Sequence, residues 1–143
     1  MIRCATSADV PALVEMGVSF IATVYPDQFA TNRDQLTALC DILRQDAHSL
    51  LLVAERDGQI VGMLGAHAYA HMMSGEHTAA ELFWWMNPTA RGDGLKLYRA
   101  FEKWARRHGA QILQMGAPNL DVARVYERLG FQRVETTYAR RLA

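Results

Sequence analysis

Two apolar, β-prone runs, Leu50 to Arg56 and Gln59 to Tyr69, meet at Asp57-Gly58. That pair accepts the two positive φ values of a tight hairpin turn, so the runs are expected to pair antiparallel. This is the firmest local feature of the chain, and the other elements must be fitted round it. A third strand runs from Ala79 to Met86 and stops at Asn87-Pro88. Ahead of the hairpin, Ile2 to Ala5 reads as a short strand. Val10, Leu13, Val14, Gly17, Phe20, Ile21 and Val24 then recur at helical spacing, with Ser7 or Asp9 as cap, Pro11 in the first turn and Pro26 at the end. Asn32 and Gln35 open a second helix with a buried stripe of Leu36, Leu39, Cys40 and Leu43.

Beyond the third strand, Leu97, Tyr98, Phe101, Trp104, Ala105 and His108 mark a strong helix closed by Gly109. Ala110 to Met115 is a short strand. Val122, Val125, Tyr126 and Leu129 form a last helix ending at Gly130, and Phe131 to Leu142 reads as a final strand. The order β-α-α-β-β-β-α-β-α-β predicts a mixed α/β fold, with helices packed on the sheet. At 143 residues the chain is expected to be one domain, 1–143, with no room for a separate cofactor domain.

Fifteen basic and fifteen acidic side chains cancel, so the global field that drives nonspecific binding to nucleic acid or an anionic membrane is missing. Neither partner is expected. The longest purely aliphatic stretch, Leu50 to Ala54, is far short of a membrane span, and Met1-Ile2-Arg3-Cys4 lacks the apolar core of a secretory signal. Cys4 and Cys40 are then expected as reduced thiols of a cytoplasmic protein.

The segment Met86-Asn87-Pro88-Thr89-Ala90-Arg91-Gly92-Asp93-Gly94-Leu95 leads from a strand through a glycine-bearing turn into a helix. Such a turn points backbone N–H groups outward at the positive end of a helix dipole, which favours a phosphate; the other reading is a tight connection with no ligand. His67, His71 and His77 gather round the loop between two strands, but with no obvious third ligand no metal site is expected. Arg106-Arg107-His108 suits a helix C-terminus better than a nucleic acid.

Arg91-Gly92-Asp93-Gly94, preceded by Pro88 and a strand, resembles the acetyl-CoA-binding motif of the GNAT superfamily of N-acetyltransferases. Downstream, Asn119, Ala123 and Tyr126-Glu127-Arg128-Leu129-Gly130-Phe131 resemble the family's second signature, in the family's order and spacing. Glu81-Leu82-Phe83-Trp84-Trp85 further resembles a branch common in phage and prophage genomes. The resemblance implies a largely antiparallel central sheet with helices on both faces. It implies direct transfer of acetyl from acetyl-CoA to a primary amine, on a small molecule or a protein. The alternative function is a GNAT-like acyl-CoA sensor or interaction module without turnover.

On that resemblance Met86, Arg91, Gly92, Asp93, Gly94, Leu95 and Lys96 hold acetyl-CoA. Asn119 either bonds the pantetheine arm or caps its helix, or both. Lys96 departs from the motif's small final residue, so its side chain must turn away from the pyrophosphate or add a cation to it. Asp93 places a negative charge in the turn. Tyr126 stands where the family has its general acid and contacts the thioester end; otherwise it is a core tyrosine. Glu81 by alternation shares a face with Phe83 and Trp85, where aromatic surroundings would raise its pKa toward that of a general base; otherwise it lies at a wet strand end. Gln114 stands where some relatives carry a catalytic glutamate and cannot serve as a base, so that proton falls to Glu81, a histidine such as His71, or water.

Tyr25 and Phe29, in the loop between the first helices, are expected to line the acceptor site with Trp84 and His71. A homodimer is also expected. The apolar cluster Phe83, Trp84, Trp85 and Trp104, together with seven methionines, exceeds what one small domain readily covers, and the final strand offers an edge.

Overall fold

The computed structural model describes residues 1–143. β1 (Ile2–Cys4) is followed by a 3-10 turn at Ser7–Asp9, α1 (Val10–Val24) and α2 (Arg33–Gln45). Then come β2 (Ser49–Arg56), β3 (Gln59–Ala70) and β4 (His77–Met86), a 3-10 segment at Pro88–Asp93, α3 (Gly94–Arg107), β5 (Ile112–Gln114) and α4 (Leu120–Arg128). The strands lie in the order β1-β2-β3-β4-β5, antiparallel except for the β4–β5 pair.

The hairpin is as the turn chemistry requires: Asp57 and Gly58 both have positive φ, 52° and 77°. Alternation along β2 then divides the core in two. Leu50, Leu52 and Ala54 face α3 with Leu64, Ala66 and Ala79, packing on Leu97, Tyr98, Phe101 and Ala105. Leu51 and Val53 face the other way with Met63, against Val10, Leu13, Val14, Cys40 and Leu43 of α1 and α2. Helices therefore cover both faces, and each fully buried Leu or Phe contributes roughly 1.5–3 kcal/mol.

Asp9, one of the two expected caps, stands at the N-cap position of α1 but makes no cap hydrogen bond to it; its side chain serves the turn before. Thr6, ahead of Ser7, occupies the N-cap position of the 3-10 turn. Asp9 Oδ2 accepts from Thr6 N (2.8 Å) and Oγ1 (3.2 Å), while both Asp9 oxygens take the Arg3 guanidinium at 2.7 and 3.0 Å. That fork, more than the backbone bond, holds the Asp9 carboxyl down at about 2. By length and composition alone Ser7–Val24 would pass for a membrane span, 18 residues of mean hydropathy 1.3, a feature that a search for unbroken aliphatic runs overlooks. Here its apolar stripe is spent on the sheet.

The larger departure is at the C-terminus. Residues 131–143 form no strand. Phe131 packs on Tyr98 and Tyr126 with ring centroids 6.1 and 5.8 Å away, and its N–H reaches Tyr126 O. Val134, Tyr138 and Leu142 are exposed, and the segment's contact with the α1–α2 loop is Arg141 Nη1 donating to Gln28 O at 3.0 Å. A strand requires a neighbouring strand for its backbone, and beyond Phe131 this segment has no backbone partner within the protomer.

Candidate active site

One inserted residue in β4 decides which side chains meet. Gly65 pairs with Phe83 and Ala66 with Glu81, so Leu82 is left over as a β-bulge. Glu81 accordingly shares the α3 face with its partner Ala66, whereas Phe83 and Trp85 turn to the α1/α2 face and Trp84 and Met86 return to the α3 face. The expectation that Glu81 shares a face with Phe83 and Trp85 is thus corrected, because strict alternation fails across a bulge. Two glycines of β3 make room for this arrangement: a Cβ at Gly65 would overlap the Phe83 ring, and one at Gly62 would overlap the end of Met86.

β4 and β5 pair only from Thr78–Ile112 to Ala80–Gln114; β4 runs on to Met86 while β5 stops at Gln114, which leaves a gap in the ladder beside the second half of β4. The gap is flanked by Glu81, half-buried, and by Gly116 just after β5. Glu81 Oε1 accepts from Gly116 N at 3.2 Å, and Tyr126 of α4 donates its hydroxyl to Gly116 O at 3.0 Å. The two side chains chosen from sequence for proton transfer therefore meet on one residue. Burial outweighs the Gly116 bond and lifts the Glu81 carboxyl to about 7, into the range of a base at neutral pH. Burial, and after it the Glu81 charge, raise the Tyr126 hydroxyl well above its ordinary value.

The turn into α3 lies at the other end of the gap. Asp93 stands at the N-cap position of α3 but makes no cap hydrogen bond; its carboxylate is held by Lys96 (Nζ–Oδ1 3.0 Å) and Arg56 (Nη2–Oδ2 2.6 Å). These two cations hold its pKa below the carboxylate range, Lys96 foremost, and they neutralise the charge the motif introduces. Lys96 thus turns toward Asp93. No side chain caps the first turn of this 14-residue helix; the Gly94 N–H donates to Arg91 O of the preceding 3-10 segment, and the positive end of the helix dipole faces whatever lies before the turn. Gly92 has negative-region backbone and no protein atom within 4 Å of where a Cβ would stand, so neither backbone conformation nor packing within the protein calls for glycine there. Arg91 and Leu95 are exposed beside it, and Gly94 and Met86 are in contact beneath it.

Trp84 extends this surface inward. Its ring lies within 4.0 Å of a Cβ position at Gly94, stacks on Tyr126 (6.1 Å, 19°) and tilts against Tyr98 (6.3 Å). It therefore sits apart from Tyr25 and Phe29, with which it was expected to line one pocket. The residue that joins those two is Trp85, through Phe20. Asn119 caps α4, its Oδ1 accepting from Val122 N at 3.0 Å. His71 is not brought to the gap: it lies past the last β3–β4 pair, Ala70–His77, and its Nδ1 accepts from Met73 N and Ser74 N in the hairpin tip. Gln114 Oε1 accepts from Tyr69 at 2.9 Å. Sequence reading placed Trp84 and Trp85 on opposite faces of the strand, one as core and one as the wall of a cleft, and gave the acceptor side to Trp84; it missed Arg56, Gly116 and Phe20. Only the glycines of β3, which a strand normally avoids, signalled that β4 would bulge and redirect its aromatics.

The fold is that of an acyltransferase. The sequence profile described as the Acetyltransferase (GNAT) family matches residues 18–131, and the chain belongs to that family. No curated protein matches the chain. Among solved structures, a predicted acetyltransferase with acetyl-CoA from Clostridium acetobutylicum is 17% identical, with 99% of this chain and 96% of that one covered and a TM-score of 0.82. A transcriptional regulator from Bacillus halodurans is 22% identical, with 99% of both chains covered and a TM-score of 0.82. The aminoglycoside antibiotic 6'-N-acetyltransferase from Acinetobacter haemolyticus is 19% identical over 100% of this chain and 99% of its own, with a TM-score of 0.77. At these identities the likeness speaks for the fold.

Proposed function

We propose that this protein transfers the acetyl group of acetyl-CoA directly to a primary amine in a ternary complex. The observation that carries this reading is the gap between β4 and β5, flanked by a carboxylate of pKa about 7 and a tyrosine that share Gly116, with an uncapped helix start at its far end. The pyrophosphate of acetyl-CoA would accept from the N–H groups of the turn Arg91–Lys96, where the missing side chain of Gly92 leaves it room. The pantetheine arm would lie along the edge of β4 beyond Ala80, whose peptide groups have no β5 partner and suit an extended amide-bearing chain.

Glu81 takes a proton from the ammonium of the acceptor, directly or through one water, and the freed amine attacks the thioester carbon. The carbon–nitrogen bond forms as the carbon–sulfur bond breaks. The departing thiolate takes the hydroxyl proton of Tyr126. Burial is the larger cause of the raised Tyr126 pKa and persists, but protonation of Glu81 removes the second, its negative charge, so the first proton transfer eases the second. The acylated nitrogen, cationic once bonded to carbon, loses its second proton to the Tyr126 phenolate, and Glu81 releases to solvent the one it took, so the net products are amide, free thiol and one proton.

A second reading has one observation in its favour. The Tyr126 hydrogen is already committed to Gly116 O, as it would be in a protein that binds acyl-CoA without turning it over. Thermal shift with acetyl-CoA tests binding, and thiol release in the presence of an amine panel tests transfer. Tyr126→Phe should keep the thermal shift and slow thiol release on the order of a hundredfold. A shift without thiol release from any amine would favour the sensor, and no shift at all would overturn both.

We also propose that two protomers associate through residues 131–142. Beyond the Phe131 N–H the segment's backbone makes no backbone hydrogen bond in its own protomer, and the outer edge of β5 has no neighbouring strand.

A further inference from the structure

We propose that the two adjacent tryptophans of β4 serve different substrates, and that Trp85 selects an acceptor whose amine is carried on an apolar or aromatic body. The proposal rests on the acetyltransferase reading for the acetyl donor and adds the chemistry of the other substrate. Trp84 lies on the α3 face, beneath the turn that receives acetyl-CoA, and Trp85 lies on the opposite face. With α3, α4 and the acetyl donor on one face, an amine reaches the gap between β4 and β5 from the other.

That face carries a series of rings. Phe29 meets Tyr25 edge-on (5.1 Å, 75°), Tyr25 meets Phe20 (5.8 Å, 72°) and Phe20 meets Trp85 (6.2 Å, 79°), a continuous series from the α1–α2 loop to β4. Its outer members stay in water, Phe29 54% and Tyr25 37% exposed, although the same chain buries its smaller aliphatic residues in two cores. Trp85 Nε1 donates to Asn87 Oδ1 at 3.3 Å, which orients the indole at the inner end. The four rings carry no charge, so they offer apolar surface to a hydrocarbon body and negative ring faces to an approaching ammonium. Neither feature suits an anionic acceptor. Across the same face Tyr69 and Gln114 bond each other beside His67, an uncharged polar margin for the acceptor's remaining groups.

The test uses the full-length protein, acetyl-CoA, and two amines of contrasting body, phenethylamine and ethanolamine. Trp85→Leu should raise KM for phenethylamine on the order of tenfold while KM for ethanolamine and for acetyl-CoA stays within about twofold. A parallel rise for both amines, or a rise confined to acetyl-CoA, would overturn the assignment. A second measurement does not depend on turnover. Of three tryptophans, Trp84→Phe with Trp104→Phe leaves Trp85 as the one indole, and phenethylamine should change its emission in the presence of CoA. If that variant does not fold, the difference between the unaltered protein and Trp85→Phe reads the same signal. No change overturns the proposal whether or not thiol is released; a change without thiol release keeps it and removes acetyl transfer instead.

Discussion

Glu81 ionises at about 7 in the folded protein and near 4.5 in an unfolded chain, because burial disfavours its charged form. Between those pH values the folded state binds the extra proton, so this residue makes stability fall as pH rises from about 4.5 to about 7 and has no further effect above. A neutral amide of the same shape escapes that cost. Glu81→Gln should therefore melt at a higher temperature than the unaltered protein at pH 8 and at nearly the same temperature at pH 4, as calorimetry would read. The same substitution should remove most of the acetyl transfer, and the rise of kcat/KM with an apparent pKa near 7 should disappear with it. A variant with equal melting at pH 8 and an unchanged rate profile would show that the carboxylate is neither desolvated nor the base.

At the scale of the element, the turn between β4 and α3 holds the clearest conflict between fold and function. Gly62 and Gly65 in β3 are needed by their neighbours, since any side chain there would strike Met86 or Phe83. Gly92 is needed by nothing in the protein. A side chain at Gly92 would reduce the backbone freedom lost on folding, so Gly92→Val should leave the melting temperature of the free protein unchanged or slightly raised. It should also weaken acetyl-CoA binding on the order of tenfold or more, because backbone approach to the pyrophosphate is blocked. Isothermal titration compares the two proteins directly, and equal affinities would move the acetyl donor away from this turn. The ion pairs of Asp93 with Arg56 and Lys96 belong to the same element. They join the end of β2 to the start of α3, so the motif's unusual residues neutralise one another within the scaffold.

For the whole molecule the open question of architecture is the last segment. Residues 131–142 alternate in sequence like a strand, but in the protomer they carry exposed Val134, Tyr138 and Leu142 and no ladder. Pairing with a second copy would satisfy both the backbone groups and the apolar side chains. Light scattering across a dilution series should give the mass of a dimer at high concentration, and removal of residues 132–143 should leave protomers only. A protomer mass at every concentration would show that Arg133, Arg140 and Arg141 guard a free segment.

The sequence by itself determined those features that depend on near neighbours in the chain. Asp57-Gly58 set the hairpin because its φ values are local, Asn32 and Asn119 capped their helices because a cap reaches only three residues on, and period set the buried faces of α1, α2 and α3. The motif turn and Tyr126 were legible for a related reason, since both sit at helix positions that a short pattern defines. Tertiary structure alone decided which way β4 points its side chains, because the bulge at Leu82 arises from register against β3 and shifts every later residue to the opposite face. For that reason Trp85 stands with Phe20 where Trp84 was expected, and Glu81 finds Gly116 and Tyr126 in place of Phe83. The final strand failed for the complementary reason: alternation can propose a strand, but only a neighbouring backbone can complete one.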